Sequence, residues 1–215
     1  MIPRRIFQTF NHKSFEPAFQ NIVDDWKREN ENFQYVFHTE DDRKNFIKNN
    51  FSSNIYDAYT RIIPAAFKAD LWRYCVLYLY GGFYADIDTV CLGTLERFLS
   101  EDIEFVAAID LNLGDLEYHN VCNTFIGSVP RHPILKKCIE RIVLTIKKQE
   151  IPKENIMNFA GPGCLGISVN QYLNRPDKES MVGFQGSYSK VKLIKFEQYT
   201  EYIRDLKGKK VLQNR

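Results

Sequence analysis

The chain has 215 residues, of which 44% are hydrophobic, 14% aromatic and 26% charged: enough apolar material for a real core and too much for disorder. Its 29 basic and 27 acidic residues leave a net charge of +2, so nothing in the overall balance draws it to nucleic acid or anionic lipid. The stretch from Tyr74 to Ala85 holds Gly81-Gly82 and is too short for a bilayer span, and the Met-Ile-Pro-Arg-Arg start lacks a signal-peptide core. Arg4 to Thr9 alternates as a first strand, and Phe19, Ile22, Val23 and Trp26 recur with the spacing of an amphipathic helix. Phe33 to His38, aromatic and β-branched, reads as a second strand. Thr39 with Asp42 three residues on predicts a helix N-cap and acidic first turn, and Ile55, Ala58, Tyr59 and Ile62 a further short helix. Pro64 opens a helix running to about Tyr80, where Gly81-Gly82 stops it. Phe83 to Ile87, Glu104 to Ile109 and Cys122 to Ser128 read as buried strands, His132 to Gln149 as an amphipathic helix, and Val191 to Phe196 as a late strand. Gly161-Pro162-Gly163 reads as a turn, and Lys207 to Arg215 as a frayed basic tail. Alternating strands and helices with no low-complexity linker predict a single α/β domain over residues 1–215.

Several chemistries are excluded or unsupported. Cys75, Cys91, Cys122, Cys138 and Cys164 are odd in number and never form C-x-x-C, which speaks against a disulfide framework or a structural zinc. Buried thiols in a reducing, cytoplasmic compartment are the simpler expectation. His12, His38, His119 and His132 are scattered, and no G-x-S-x-G, G-x-G-x-x-G or G-x-x-x-x-G-K-[ST] is present.

The helix AAFKADLWRYCVLYLY is apolar almost all round, which marks it as buried on several sides. Asp70 and Arg73 interrupt it about 60° apart on one face, while Lys68 points the other way. They form either a self-satisfying ion pair or a charged face turned toward a polar ligand. Because a buried pair costs about what it returns, the ligand reading is the more economical one. GGFYADIDTV follows at once. On an ideal strand Asp86 and Asp88 share a face, with Ile87 buried opposite. Two such carboxylates raise one another's pKa unless a cation lies between them, and oxygen donors suit Mg²⁺ or Mn²⁺.

AFKADLWRY followed by YGGFYADID resembles the D-x-D glycosyltransferases of family 32, typified by initiating α-1,6-mannosyltransferases. IPRRIFQTF, NTFIGSVPRHPIL and the GPG at Gly161 to Gly163 are similar to other segments of that family, in its order. The central block is also similar to the glucosyltransferase domains of clostridial toxins. The resemblance implies a GT-A-like Rossmann-type fold, a mixed central sheet flanked by helices. It implies a metal-dependent retaining transferase that moves a hexose from a UDP- or GDP-sugar to a glycan or other hydroxyl acceptor, as in polysaccharide biosynthesis. By matching position, Asp88 is the principal metal ligand, and Asp86 meets the metal's water shell and sugar or ribose hydroxyls. Asp70, Arg73 and Tyr84 hold the donor, Gln8 lies near the base, and Asn123 lies near the transferred sugar. Asp86, Asp88 and Asp70 are thus the catalytic candidates, with Asp70 beside a developing oxocarbenium ion.

Phe7, Phe10 and Ala69 depart from the family's usual His, Trp and Ser, and its C-terminal His/Ser/Trp element is missing, as in a diverged or shortened tail. Ser187, Ser189 and Glu197 are guesses for a third metal ligand. Arg73→Ala is expected to weaken donor binding and leave the thermal midpoint close to unchanged. Two rivals stay open. DIDTV also fits the nucleophile motif of haloacid-dehalogenase-type phosphatases, though the later acidic pair of that family is lacking. The other is a degenerate sugar-binding module without turnover.

Overall fold

The computed structural model describes residues 1–14, 16–91, 93–109, 119–151, 156–184 and 186–195. The predicted tail from Lys207, Phe196 of the late strand and the candidate Glu197 lie outside them.

Seven strands form one mixed sheet among the described residues: β1 (Arg5–Thr9), β2 (Gln34–His38), β3 (Gly82–Ala85), β4 (Phe105–Ile109), β5 (Val121–Ser128), β6 (Gly186–Tyr188) and β7 (Val191–Lys195). Their order is β2-β1-β3-β5-β4-β7-β6. β2, β1 and β3 run parallel, β5 is antiparallel to β3 and β4, β7 is parallel to β4, and β6 is antiparallel to β7. The helices are α1 (Pro17–Glu29), α2 (Glu40–Asn50), α3 (Ser53–Arg61), α4 (Ala65–Tyr80), α5 (Pro133–Lys148) and α6 (Pro162–Tyr172).

Period-two alternation sorts the strand side chains to two cores. Phe7, Tyr84, Phe105 and Ala107 face the layer made by α2 to α6. Ile6, Phe83, Ala85 and Val106 face α1 and the 3₁₀ turn Leu95–Phe98. The α2 cap is a full capping box: the Asp42 amide donates to Thr39 Oγ1 at 3.2 Å, and the Thr39 amide donates back to Asp42 Oδ2 at 2.9 Å.

The double glycine makes the reversal from α4 into β3. Gly81 and Gly82 both have positive φ (62° and 106°), and a Cβ on either would lie within 3 Å of Pro130 or Arg5. α4 therefore ends with Tyr80 and β3 starts two residues later, so the N-terminal half of α4 returns to the end of the sheet where β3 finishes. There β1 leads through α1 to β2 on one side, while β3 borders β5 on the other. A crevice outside the carboxyl ends of strands, at such a reversal of strand order, is where open α/β sheets bind ligands.

Two expectations are corrected. β3 ends at Ala85, and residues 86–89 form a turn closed by the Thr89 amide on the Asp86 carbonyl at 2.9 Å. The D-x-D pair therefore sits on a turn beyond the strand. Gly161-Pro162-Gly163 opens α6 instead of standing as an isolated turn. The glycines permit close packing there, since a Cβ on Gly166 would lie 1.9 Å from the His119 carbonyl oxygen.

Candidate active site

Three elements meet at the crevice: the N-terminal half of α4, the turn after β3, and the start of β5. α4 contributes Asp70 and Arg73, 7% and 5% exposed, one turn apart on the same face. Arg73 Nη2 lies 3.1 Å from Asp70 Oδ1 and 3.1 Å from Asp86 Oδ1, so one guanidinium joins the helix to the turn. Its Nη1 donates to the Asn123 carbonyl on β5, and its plane lies 4.3 Å from the Tyr84 ring centre. The Tyr84 hydroxyl donates to Asp86 Oδ1. Asn123 Nδ2 donates to Asp70 Oδ1 at 2.8 Å and approaches Tyr74 Oη at 3.3 Å, while the Tyr74 hydroxyl donates to the Ala160 carbonyl at 2.9 Å.

The node explains its own electrostatics. Burial pushes the Asp70 carboxyl up to about 7; Arg73 pulls against this, Asp86 adds to it, and the Asn123 amide opposes it. Burial works against the Arg73 charge, but Asp86, Tyr84 and Asp70 around it more than compensate, and its pKa stands above the ordinary arginine value. Lys68, on the opposite side of α4, lies 3.7 Å from Glu40, as its helical phase requires.

The two D-x-D carboxylates differ sharply. Asp86 is half-buried, both its side-chain contacts fall on Oδ1, and Oδ2 is left for a further ligand. Asp88 is exposed and makes no ion pair among the described residues. Partial desolvation of its carboxyl, then the nearby charge of Asp86, raises its pKa above the usual carboxylate range. A cation would relieve that repulsion. Among the described residues no three His, Cys, Asp or Glu side chains gather into a metal cage. Two carboxylates alone suit Mg²⁺ or Mn²⁺, hard ions commonly held by one or two carboxylates together with substrate phosphates.

Gln8 and Asn123 are less open to a ligand than the sequence suggested. Gln8 is 0% exposed; its Nε2 donates to the Asp86 carbonyl at 3.1 Å and its Oε1 accepts from Tyr35 at 2.8 Å. Its side-chain amide is thus engaged within the protein at both ends. The Asn123 side chain, 6% exposed, holds Asp70. Ser187 lies on β6 and Ser189 in the β6–β7 turn. β6 is four strands from β3, about 19 Å along the sheet, so neither serine approaches the turn. Sequence reasoning missed Tyr74 as a polar member of the node, since it lies in a helix that reads as apolar almost all round. It also missed Trp26, whose indole Nε1–H donates to the Thr89 carbonyl at 2.6 Å. The helical spacing marked Trp26 as buried and carried no sign of its hydrogen bond.

Residues 17–104 match the family described as a glycosyltransferase sugar-binding region containing a DXD motif. The chain is 29% identical over 182 residues to an uncharacterized glycosyltransferase of Acanthamoeba polyphaga mimivirus, covering 83% of this chain and 69% of that protein. It is 29% identical to inositol phosphoceramide mannosyltransferase 2 of Schizosaccharomyces pombe, covering 80% of this chain and 47% of that protein. To the initiation-specific alpha-1,6-mannosyltransferase of the same yeast it is 25% identical, covering 80% and 49%. The chain thus spans about half the length of these two yeast relatives. Among solved structures, PaToxG glycosyltransferase aligns with a TM-score of 0.61 at 17% identity, over 80% of this chain and 70% of that one. No helix among the described residues is long and apolar enough to cross a membrane.

Proposed function

We infer that this chain, which has the GT-A fold and whose residues 17–104 match a DXD-motif glycosyltransferase region, moves a hexose from a nucleoside-diphosphate sugar to a hydroxyl acceptor. The reaction retains anomeric configuration and depends on a divalent cation, and residues 1–215 act as one domain. The observation that carries this reading is the guanidinium of Arg73, set 3.1 Å from both Asp70 and Asp86 at the switch point of the sheet. It locks the donor-binding helix face to the motif that faces the crevice. Mannose is the first sugar to test, because the yeast relatives are mannosyltransferases by name.

Asp88, exposed, and Asp86 through Oδ2 would hold Mn²⁺ or Mg²⁺ against the donor diphosphate. That ion supplies Lewis-acid stabilisation of the charge on the departing diphosphate. The protein does the rest by preorganisation. Arg73, fixed by two carboxylates and a carbonyl, presents a positive charge that needs no reordering when negative charge develops nearby. Asp70 lies beside Arg73 with its carboxyl pushed up to about 7, and its ionised form would place negative charge where an oxocarbenium-like carbon is stabilised. The Tyr84 hydroxyl, donating to Asp86 Oδ1, shares with Arg73 the holding of that oxygen. Fixing the remote nucleotide then orients the anomeric carbon toward the acceptor hydroxyl.

A panel of UDP- and GDP-hexoses, incubated with the protein and Mn²⁺ and followed for release of nucleoside diphosphate, tests the reading. Turnover of one donor, abolished by chelator, is the expected result. Donor binding with no hydrolysis and no transfer would leave a sugar-binding module. A phospho-aspartate trapped on Asp86 would restore the phosphatase reading.

A further inference from the structure

The turn that carries the motif is gripped at both ends by side chains that do not face the crevice. At its start, the Asp86 carbonyl accepts from Gln8 Nε2 at 3.1 Å and from the Thr89 amide at 2.9 Å, and the Asp86 amide donates to the Thr124 carbonyl at 2.8 Å. At its end, the Thr89 carbonyl accepts from the Trp26 indole at 2.6 Å. Each grip is backed from behind. Tyr35 donates to Gln8 Oε1 at 2.8 Å, which orients the amide so that its nitrogen faces Asp86. Trp26, 3% exposed, stacks on Phe125 of β5 at 6.3 Å between ring centres. One turn further along α1, Asn30 bonds the Trp26 carbonyl and accepts from the Leu95 amide at 2.7 Å, bracing the chain beyond the motif.

We propose that Gln8 and Trp26 are positioning residues that hold the 86–89 turn in the form that presents the Asp86 and Asp88 carboxylates together. This rests on the glycosyltransferase reading only for what the carboxylates then bind. A four-residue turn between a strand and an irregular segment has few local restraints. Two like charges on it, one half-buried and one exposed, repel one another, and a pinned backbone keeps them together. Buried hydrogen bonds from a fully enclosed amide and an indole supply that pinning. Partners that orient metal-binding groups are generally worth 10- to 100-fold in metal affinity, although they touch no metal.

The test uses Gln8→Met, which keeps volume and removes the amide, and Trp26→Phe, which keeps an aromatic ring and removes the donor. Two readouts apply. In the protein without metal, hydrogen exchange at the Thr89 amide reports the turn itself, normalised to the exchange of α5. In the presence of UDP or GDP, Mn²⁺ affinity by electron paramagnetic resonance reports the consequence. Expected are exchange at Thr89 faster by about tenfold or more with α5 unchanged, and Mn²⁺ affinity weaker by about tenfold in each variant. Gln8→Glu, which retains an acceptor for Tyr35 but not the donor to Asp86, must fail to rescue either readout. Unchanged exchange at Thr89 in both variants overturns the proposal, whatever Mn²⁺ does. Should the parent protein bind no Mn²⁺ with either nucleotide, the metal reading falls alone, and the exchange result still decides the clamp. A merely structural loss would accelerate exchange in α5 and Thr89 alike, and that outcome also overturns it.

Discussion

The buried node on α4 and the exposed tip of the following turn hold three carboxylates of one chemical type, and their surroundings divide the work among them. Asp70 is enclosed, tied to Arg73 and Asn123, and pushed up to about 7 by burial. Asp86 shares the same arginine but stands half out, and Asp88 stands outside with no ionic partner among the described residues. Identical letters in D-x-D thus describe an anchor and a presenting group. In the proposed reaction the tip would meet the cation, and the node supplies the rigidity behind it.

The most disruptive way to break this division is Arg73→Ala. The sequence alone led to an expectation of intact folding, and the structure reverses it. Removing a guanidinium that is 5% exposed strands two carboxylates, and breaking a buried ion pair costs about 3–5 kcal/mol. Urea unfolding should show that loss, and Arg73→Met combined with Asp70→Asn should recover part of it. Asp88→Asn should do the opposite, lowering turnover by about 100-fold or more while the unfolding midpoint stays put, because the group is exposed. A destabilised Asp88→Asn protein would erase the distinction between tip and node.

A pH titration sharpens it further. Asp70 has a folded pKa raised to about 7, so its stabilising contribution is complete at low pH and is lost as pH rises toward 7. His132 caps α5, its ring nitrogen accepting from the Ile134 amide at 3.2 Å, and burial lowers its pKa to about 4. Its contribution is complete above the unfolded value and is lost as pH falls toward 4. Between pH 5 and 6.5 the two slopes oppose one another, each about 1.5–2 kcal/mol, and the metal-free parent should be nearly flat. Asp70→Asn should then lose stability on acidification through this window, and His132→Asn should gain it. The smallest expected effect is Thr39→Ala, about 1 kcal/mol from the lost α2 cap, with turnover untouched.

Much of this was legible in the residues. The α2 capping box, the extent of α4, the helical phase of Asp70 and Arg73 and the stop at Gly81-Gly82 follow from local rules, and the structure contains them all. The motif turn was not legible, because Asp-Ile-Asp alternates like a strand and Ile87 is buried as a strand residue would be. The turn is held in part by hydrogen bonds from Gln8 and Trp26, which are distant in sequence. α6 was hidden for another reason. Its glycines weaken local helix propensity and are there for contact with the chain at His119, a tertiary demand invisible in a one-dimensional pattern.

The reversal at Gly81-Gly82 also acts as a ruler. The guanidinium on the helix and the carboxylate past the strand are connected by a rigid rod, a two-residue hairpin bend and a second rigid rod, none of which has slack. Inserting one residue anywhere between Arg73 and Gly81 would rotate the far end of the helix by about 100° and carry the arginine off the crevice. Length polymorphism should therefore be tolerated in the outer loops of this fold and forbidden across that stretch, a constraint that deletion scanning would map directly.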